Sequence, residues 1–153
     1  MSTHPSNSWT IITGASRGIG KAIACRLAER GFNLILIARN ESLLSELSAQ
    51  IHRAGGEVVW FRADLTNEND LNILGEWLGP KGLSVNNVIL NAGLAMIGKV
   101  LEMSIQDWRL IFDTNVLAPV ALLQKVKEYL KEKGHIVFIN SVAGKMVFPD
   151  WGA

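Results

Sequence analysis

Trp9-Thr10-Ile11-Ile12-Thr13-Gly14-Ala15-Ser16-Arg17-Gly18-Ile19-Gly20 runs directly into Lys21-Ala22-Ile23-Ala24-Cys25-Arg26-Leu27-Ala28. The stretch predicts a strand, a glycine-rich turn and an amphipathic helix, in that order. Glycine has no Cβ, so a backbone built from it can turn tightly and let a ligand approach closely. The helix that follows aims its unpaired N–H groups and the positive end of its dipole at the same spot, a setting that favours a phosphate. A plain strand-to-helix turn is the competing interpretation of any glycine cluster taken alone. Spacing excludes two nucleotide-loop patterns. A Walker A loop needs a glycine where this chain has Ala15 and a hydroxyl where it has Ala22. The common G-x-G-x-x-G pattern fails as well, because the order here is G-x-x-x-G-x-G.

Outward from that turn, strands and helices alternate, which argues for a parallel sheet with helices on both faces. Phe32–Ala38 is nearly continuous in apolar character, as a buried parallel strand should be. Leu43, Leu44, Leu47 and Ile51 share one face of a helix that ends before Gly55-Gly56. Glu57–Arg62 is the third expected strand; a helix carrying Leu71, Leu74, Trp77 and Leu78 follows and stops at Gly79-Pro80. Asn87–Leu90 and Ile136–Ile139 are the fourth and fifth strands. Between them the pattern predicts a helical stretch from about Ser104 to Lys133, in two pieces, closed by Gly134. On that stretch Lys125, Lys127, Lys131 and Lys133, interleaved with Glu128 and Glu132, form a solvated helix face rather than a nucleic-acid patch.

Composition narrows the function classes. A chain of 153 residues with 48% hydrophobic and 19% charged residues is a globular chain of one domain, able to bury a core. The net charge of +1 offers no electrostatic reason for a nucleic-acid or membrane partner. Cys25, the single cysteine, reads as a small buried hydrophobe, and His4, His52 and His135 are scattered, so no metal site is expected. The first eight residues are polar and lack the basic start and apolar stretch of a secretory leader, which makes the cytoplasm the expected location. The five tryptophans are spread along the chain, as packing residues are, rather than gathered into a stacking platform.

The shifted glycine spacing resembles that of the short-chain dehydrogenase/reductase family, whose Thr-Gly-x-x-x-Gly-Ile-Gly is matched at every fixed position from Thr13 to Gly20. Asn91-Ala92-Gly93 resembles the family's Asn-Ala-Gly after the fourth strand, Asn115 the Asn of its long fifth helix, and Ser141 its catalytic Ser after the fifth strand. The resemblance covers essentially the whole chain. It implies an α/β, Rossmann-type doubly wound parallel sheet, with residues 1–153 as the N-terminal dinucleotide-binding part of a single domain. It also implies that Gly14, Ser16, Arg17, Gly18, Ile19, Gly20, Asn91, Ala92 and Gly93 border a dinucleotide and that Asp64 contacts its adenine. A carboxylate at a helix N-terminus is the competing reading of Asp64, and the two roles are compatible.

Where dinucleotide sites of this kind place an acidic residue on the ribose 2′-hydroxyl, this chain has Arg39. With Arg17 in the glycine turn, Arg39 supplies bidentate donors to a 2′-phosphate, so NADP(H) is expected over NAD(H). The resemblance further implies a small carbonyl or alcohol substrate, a homo-oligomer for the intact form, and proton handling by a Tyr-x-x-x-Lys pair downstream of Ser141. Ser141 would hold the substrate oxygen and Asn115 a water leading to the Lys. The only tyrosine is Tyr129, with Lys133 four residues on, and the pair precedes Ser141, so it reads as helix surface. The 153 residues are therefore expected to be the front part of such an enzyme, its sheet about five strands wide, ending at an open fifth strand and short of the acid/base. A noncatalytic dinucleotide-binding or interaction module is the alternative.

Overall fold

The computed structural model describes residues 8–146 and Phe148. The polar residues 1–7 and Trp151 lie outside the described residues. Five strands form one parallel sheet in the order β3-β2-β1-β4-β5: β1 (Ser8–Thr13), β2 (Asn33–Ala38), β3 (Val58–Arg62), β4 (Ser84–Leu90) and β5 (Leu130–Phe138). Helices α1 (Gly18–Ala28), α2 (Glu41–Arg53), α3 (Glu68–Leu78), α4 (Ile105–Phe112) and α5 (Ala118–Val126) connect them. This is the doubly wound architecture that the alternation predicts.

Strand periodicity divides the core in two. Ile12, Leu34 and Leu36 face α1 and α2 and pack with Ala24, Leu44, Leu47 and Ile51. Ile11, Ile35 and Ile37 point the other way and pack with Leu71, Leu74 and Leu78 of α3 and Leu122 and Val126 of α5. Adjacent residues of one strand thus serve opposite cores. Leu34, Ile35, Leu36 and Ile37 have no solvent exposure; burying each such side chain stabilises the fold by about 1.5–3 kcal/mol. Trp9 and Trp77 pack on one cluster and Trp60 and Cys25 on the other, in the packing roles expected of them. Among the described residues no helix is long and apolar enough to cross a membrane.

The stretch between β4 and β5 departs from expectation. Instead of two helical pieces reaching Lys133, α4 and α5 are joined by a wide π turn, Asp113–Leu117, and helical structure ends in a 3-10 turn at Lys127–Tyr129. Leu130 pairs with Val85, and after a register shift His135 pairs with Asn87. Lys131–Gly134 bulge out opposite Asn86, so Lys131 and Lys133 belong to a strand bulge, not to a helix face. Gly134 does not close a helix; a Cβ there would lie 2.5 Å from the Asn86 carbonyl oxygen, which is why the bulge carries glycine. β5 forms the sheet edge, with Phe138 55% exposed and Ile136 and Val137 nearly as much.

Tyr129 is also placed differently from the helix surface expected of it. It packs on the α3–α5 core and donates its phenol proton to the Gly75 carbonyl at 3.1 Å. Tyr129→Phe leaves that carbonyl without its donor and is expected to cost about 1 kcal/mol. Thermal unfolding should show a midpoint about 2–4 °C lower, and an unchanged midpoint would remove the bond's structural role.

Candidate functional site

The sheet order reverses direction between β1 and β4, and in open parallel sheets the crevice at the C-terminal ends of such a strand pair is where ligands sit. Here the crevice is a cleft of about 660 Å³. From the β1 side it is lined by Gly14, Ser16, Arg17, Gly18 and Ile19; from β2 by Ala38 and Arg39; from β3 by Asp64 and Thr66; and from β4 by Asn91, Ala92 and Gly93. Leu110 and Thr114 close it from the α4 side. Eleven positions were expected to border the dinucleotide, and all but Gly20 line this one cleft.

Thr13 and Asn91 brace the glycine turn. The Thr13 hydroxyl accepts the amide protons of Asn91 and Ala92 at 2.9 and 3.0 Å, and its own proton goes to the Ile89 carbonyl at 3.4 Å. The Asn91 side-chain amide donates to the carbonyls of Thr13 and Gly14 at 3.0 and 3.3 Å. Asn91 therefore borders the cleft while its amide group is spent on the turn itself. Gly14 has a φ of +64°, and a Cβ on it would lie 2.9 Å from both Ala92 Cα and Asn91 Nδ2. Gly20 is buried behind the turn, where a Cβ would meet the Gly14 carbonyl oxygen at 2.4 Å. It permits close packing of α1 under the turn rather than lining the cleft. Gly18, with φ +56°, faces open space: nothing lies within 4 Å of the Cβ it lacks.

The N-terminus of α1 fits an anionic guest. Side chains cap the three other helices that begin after a loop: Asn40 on α2, Asn67 on α3 and Ser104 on α4, the last in a capping box with Asp107. At α1 the N-cap position is held by Arg17, which makes no side-chain cap bond, and the first turn holds no acidic residue. Its first-turn N–H groups are thus left to something outside the helix.

At the adenosine end, the Arg39 guanidinium lies 4.0 Å from the Asp64 carboxylate. Asp64 is not the cap of α3, whose N-cap is Asn67; it closes a short turn by accepting the amide and hydroxyl protons of Thr66 at 3.0 and 2.7 Å. Partial burial pushes its carboxyl pKa up, but the Thr66 hydroxyl and amide bonds, with the charges of Arg39 and Arg62, outweigh that and hold it below the ordinary value of 3.8. Because the folded-state pKa is the lower one, the stabilisation it brings is complete above the ordinary carboxylate range and is lost as the pH falls through the lowered value. Asp70, to which sequence reasoning assigned no part, accepts the Asp64 amide proton at 2.8 Å.

Asn115 and Ser141 stand outside the lining of the cleft. Asn115 sits in the π turn, an insertion often found at functional sites. Its side chain closes a reciprocal pair with Leu94, donating to that carbonyl at 2.7 Å and accepting its amide proton at 2.8 Å. This pins the segment after Asn91-Ala92-Gly93 to the helix. Ser141 follows β5, is exposed, and accepts the Ala143 amide proton at 3.1 Å. Among the described residues no group of three or more His, Cys, Asp or Glu side chains is placed to hold a metal ion.

Comparison with known proteins agrees with this fold. Human dehydrogenase/reductase SDR family member 11 is 35% identical over 145 residues, a span covering 91% of this chain and 56% of that protein. An alcohol dehydrogenase from Thermococcus sibiricus, solved with 5-hydroxy-NADP, superimposes with a TM-score of 0.88 at 28% identity, over 95% of this chain and 63% of that one. A metagenomic short-chain oxidoreductase solved with NADP gives a TM-score of 0.86 at 30% identity, over 96% and 68%. A short-chain dehydrogenase/reductase from Burkholderia phymatum, solved with NAD, gives a TM-score of 0.86 at 29% identity, over 95% and 53%. The chain spans about half the length of the curated relatives it matches. With the short chain dehydrogenase family model matching residues 8–153, from β1 onward, this chain belongs to the short chain dehydrogenase family.

Proposed function

We propose that the cleft binds NADP(H) and that the protein serves hydride transfer between the nicotinamide and a small carbonyl or alcohol substrate. The observation that carries the reading is the uncapped N-terminus of α1 behind a glycine turn that opens onto the cleft. The pyrophosphate would lie against Gly14, Ser16, Arg17, Gly18 and Ile19, with Asp64 toward the adenine and Asn91, Ala92 and Gly93 along the remainder. Of the solved relatives, two carry an NADP-type dinucleotide and two carry NAD or NADH, so the choice between the two rests on this chain's own residues. Arg39 and Arg17 favour the phosphorylated form, since guanidinium forks match a phosphate and no carboxylate replaces Arg39 at the end of β2.

Bound there, the dinucleotide supplies the hydride chemistry, and the protein orients it and handles the proton. Ser141 would hold the substrate oxygen by a hydrogen bond and stabilise its developing charge. Asn115 pins the backbone at Leu94, directly after Asn91-Ala92-Gly93.

The test is dinucleotide binding by fluorescence or calorimetry. NADPH should bind more tightly than NADH, and Arg39→Gln should weaken NADPH by about 10–100-fold while changing NADH little. An NADPH-to-NADH ratio that Arg39→Gln leaves untouched would exclude the 2′-phosphate role. Within these 153 residues the single phenol, Tyr129, is tied to Gly75 and does not line the cleft, so they supply the binding half of this reading and not a phenolic proton donor.

A further inference from the structure

We propose that Asp70 is a positioning residue for the adenosine end of the cleft, acting through Asp64 on Arg39. The inference rests on the dinucleotide reading above and deepens it.

Asp70 is the third residue of α3, and only 18% of its side chain is exposed. A carboxylate at that place ordinarily reaches back to the amide of its own cap residue, as Asp107 does to Ser104 in α4. Asp70 passes over the cap instead. Its Oδ2 accepts the amide proton of Asp64, six residues back, at 2.8 Å, and Arg62 Nη1 lies 3.7 Å from the same oxygen. A largely buried carboxylate is thereby spent on one loop amide and the Arg62 guanidinium rather than on its own helix.

That amide belongs to the residue that faces Arg39. The carbonyl of Asp64 accepts the Asn67 amide proton at 3.0 Å, Oδ1 accepts both protons of Thr66, and Oδ2 lies 4.0 Å from Arg39 Nη1. The orientation of Asp64 is therefore fixed from three sides, and Asp70 supplies the bond that ties its backbone to a rigid helix. Arg39 is 74% exposed on a long stem, so its pairing with Asp64 contributes little to stability. What the pairing limits is the range of places the guanidinium occupies before a ligand arrives, and such preorganisation raises affinity by lowering the ordering cost of binding. Arg39 and Asp64 line the cleft and Asp70 does not, so its influence on a ligand passes through them.

The readout is the preference for NADPH over NADH, which a purely structural role would leave alone. Asp70→Ala should lower that preference about tenfold. Asp70→Asn, whose amide oxygen still accepts the Asp64 proton, should keep it. In an Arg39→Gln background Asp70→Ala should change the ratio no further. A wild-type ratio in Asp70→Ala, or an effect that persists in full without Arg39, overturns the inference. Should Asp70→Ala not fold, amide exchange in the wild-type chain decides: protection of the Asp64 amide supports the bond, and exchange as fast as an exposed loop amide overturns it. A wild type that binds neither dinucleotide at millimolar concentration, or binds both equally, overturns the cleft reading and this inference together. A wild type with the preference and an indifferent Asp70→Ala overturns this inference alone.

Discussion

Gly20→Ala should unfold about 10 °C below the wild type, while Gly18→Ala should stay close to it and lose the dinucleotide instead. The two glycines lie two residues apart in the same turn, and their surroundings are opposite. At Gly20 the added methyl would sit 2.4 Å from the Gly14 carbonyl oxygen and 2.6 Å from Asn91 Nδ2. The carbonyl is backbone, and the Asn91 amide is itself committed to the carbonyls of Thr13 and Gly14. Neither can yield without moving α1 off the sheet. Overpacking of this kind costs about 3 kcal/mol, a large share of a domain's net stability. At Gly18 the methyl meets nothing in the protein, and the remaining penalty is the left-handed backbone, about 1 kcal/mol. The methyl then projects at the uncapped end of α1, where the phosphates are proposed to rest. Thermal unfolding paired with NADPH titration separates the two effects. Equal stability losses in both variants, or wild-type affinity in Gly18→Ala, would contradict the assignment of one glycine to packing and the other to ligand.

This division was only half legible in the sequence. The glycine spacing gives the turn and its ligand class, because few residues tolerate those backbone angles and the following helix supplies the donors. It does not distinguish the glycine against the sheet from the one facing the cleft, since that depends on how deeply α1 sits under β1 and β4. The sheet itself is written in the apolar run of β2, whose side chains are needed on both faces. β5 is not written so plainly. Leu130-Lys131-Glu132-Lys133 is made of good helix formers, and only pairing with Val85 across the sheet turns it to strand. Tyr129 with Lys133 four residues later likewise suggests a helical surface until Gly75, 54 residues away, is brought beside the phenol. Asp70 is the same kind of case. Local sequence places it in the first turn of a helix, but which amide it serves follows from the path of the loop after β3.

The largest functional effect expected is an absence: the 153-residue polypeptide should bind NADPH and oxidise none of it in the presence of aldehydes and ketones. Hydride delivery to a carbonyl leaves an alkoxide that must gain a proton as it forms. A group positioned to give that proton contributes roughly 10²–10⁴-fold. An unassisted phenol titrates near about 10 and needs a neighbouring cation to work near neutrality. Among these residues the single phenol is Tyr129, and its proton is held by the Gly75 carbonyl against the α3–α5 core. Ser141 can hold and polarise a substrate oxygen, but its hydroxyl is too weak an acid to replace that donor, and it lies outside the lining of the cleft. Loss of nicotinamide orientation compounds the deficit, because misplacement of the reacting atoms by about 1 Å can itself cost roughly 10²-fold. The expected profile is saturable NADPH binding with an oxidation rate equal to the protein-free blank across a broad carbonyl panel. Supplying a polypeptide that carries a Tyr-x-x-x-Lys pair and the rest of such a fold should raise the rate if the enzymatic reading is right, and should leave it at the blank if the cleft serves binding alone. Turnover above the blank by the 153 residues unaided would show that another group, Ser141 first among them, delivers the proton, and would overturn the assignment of that step to a phenol.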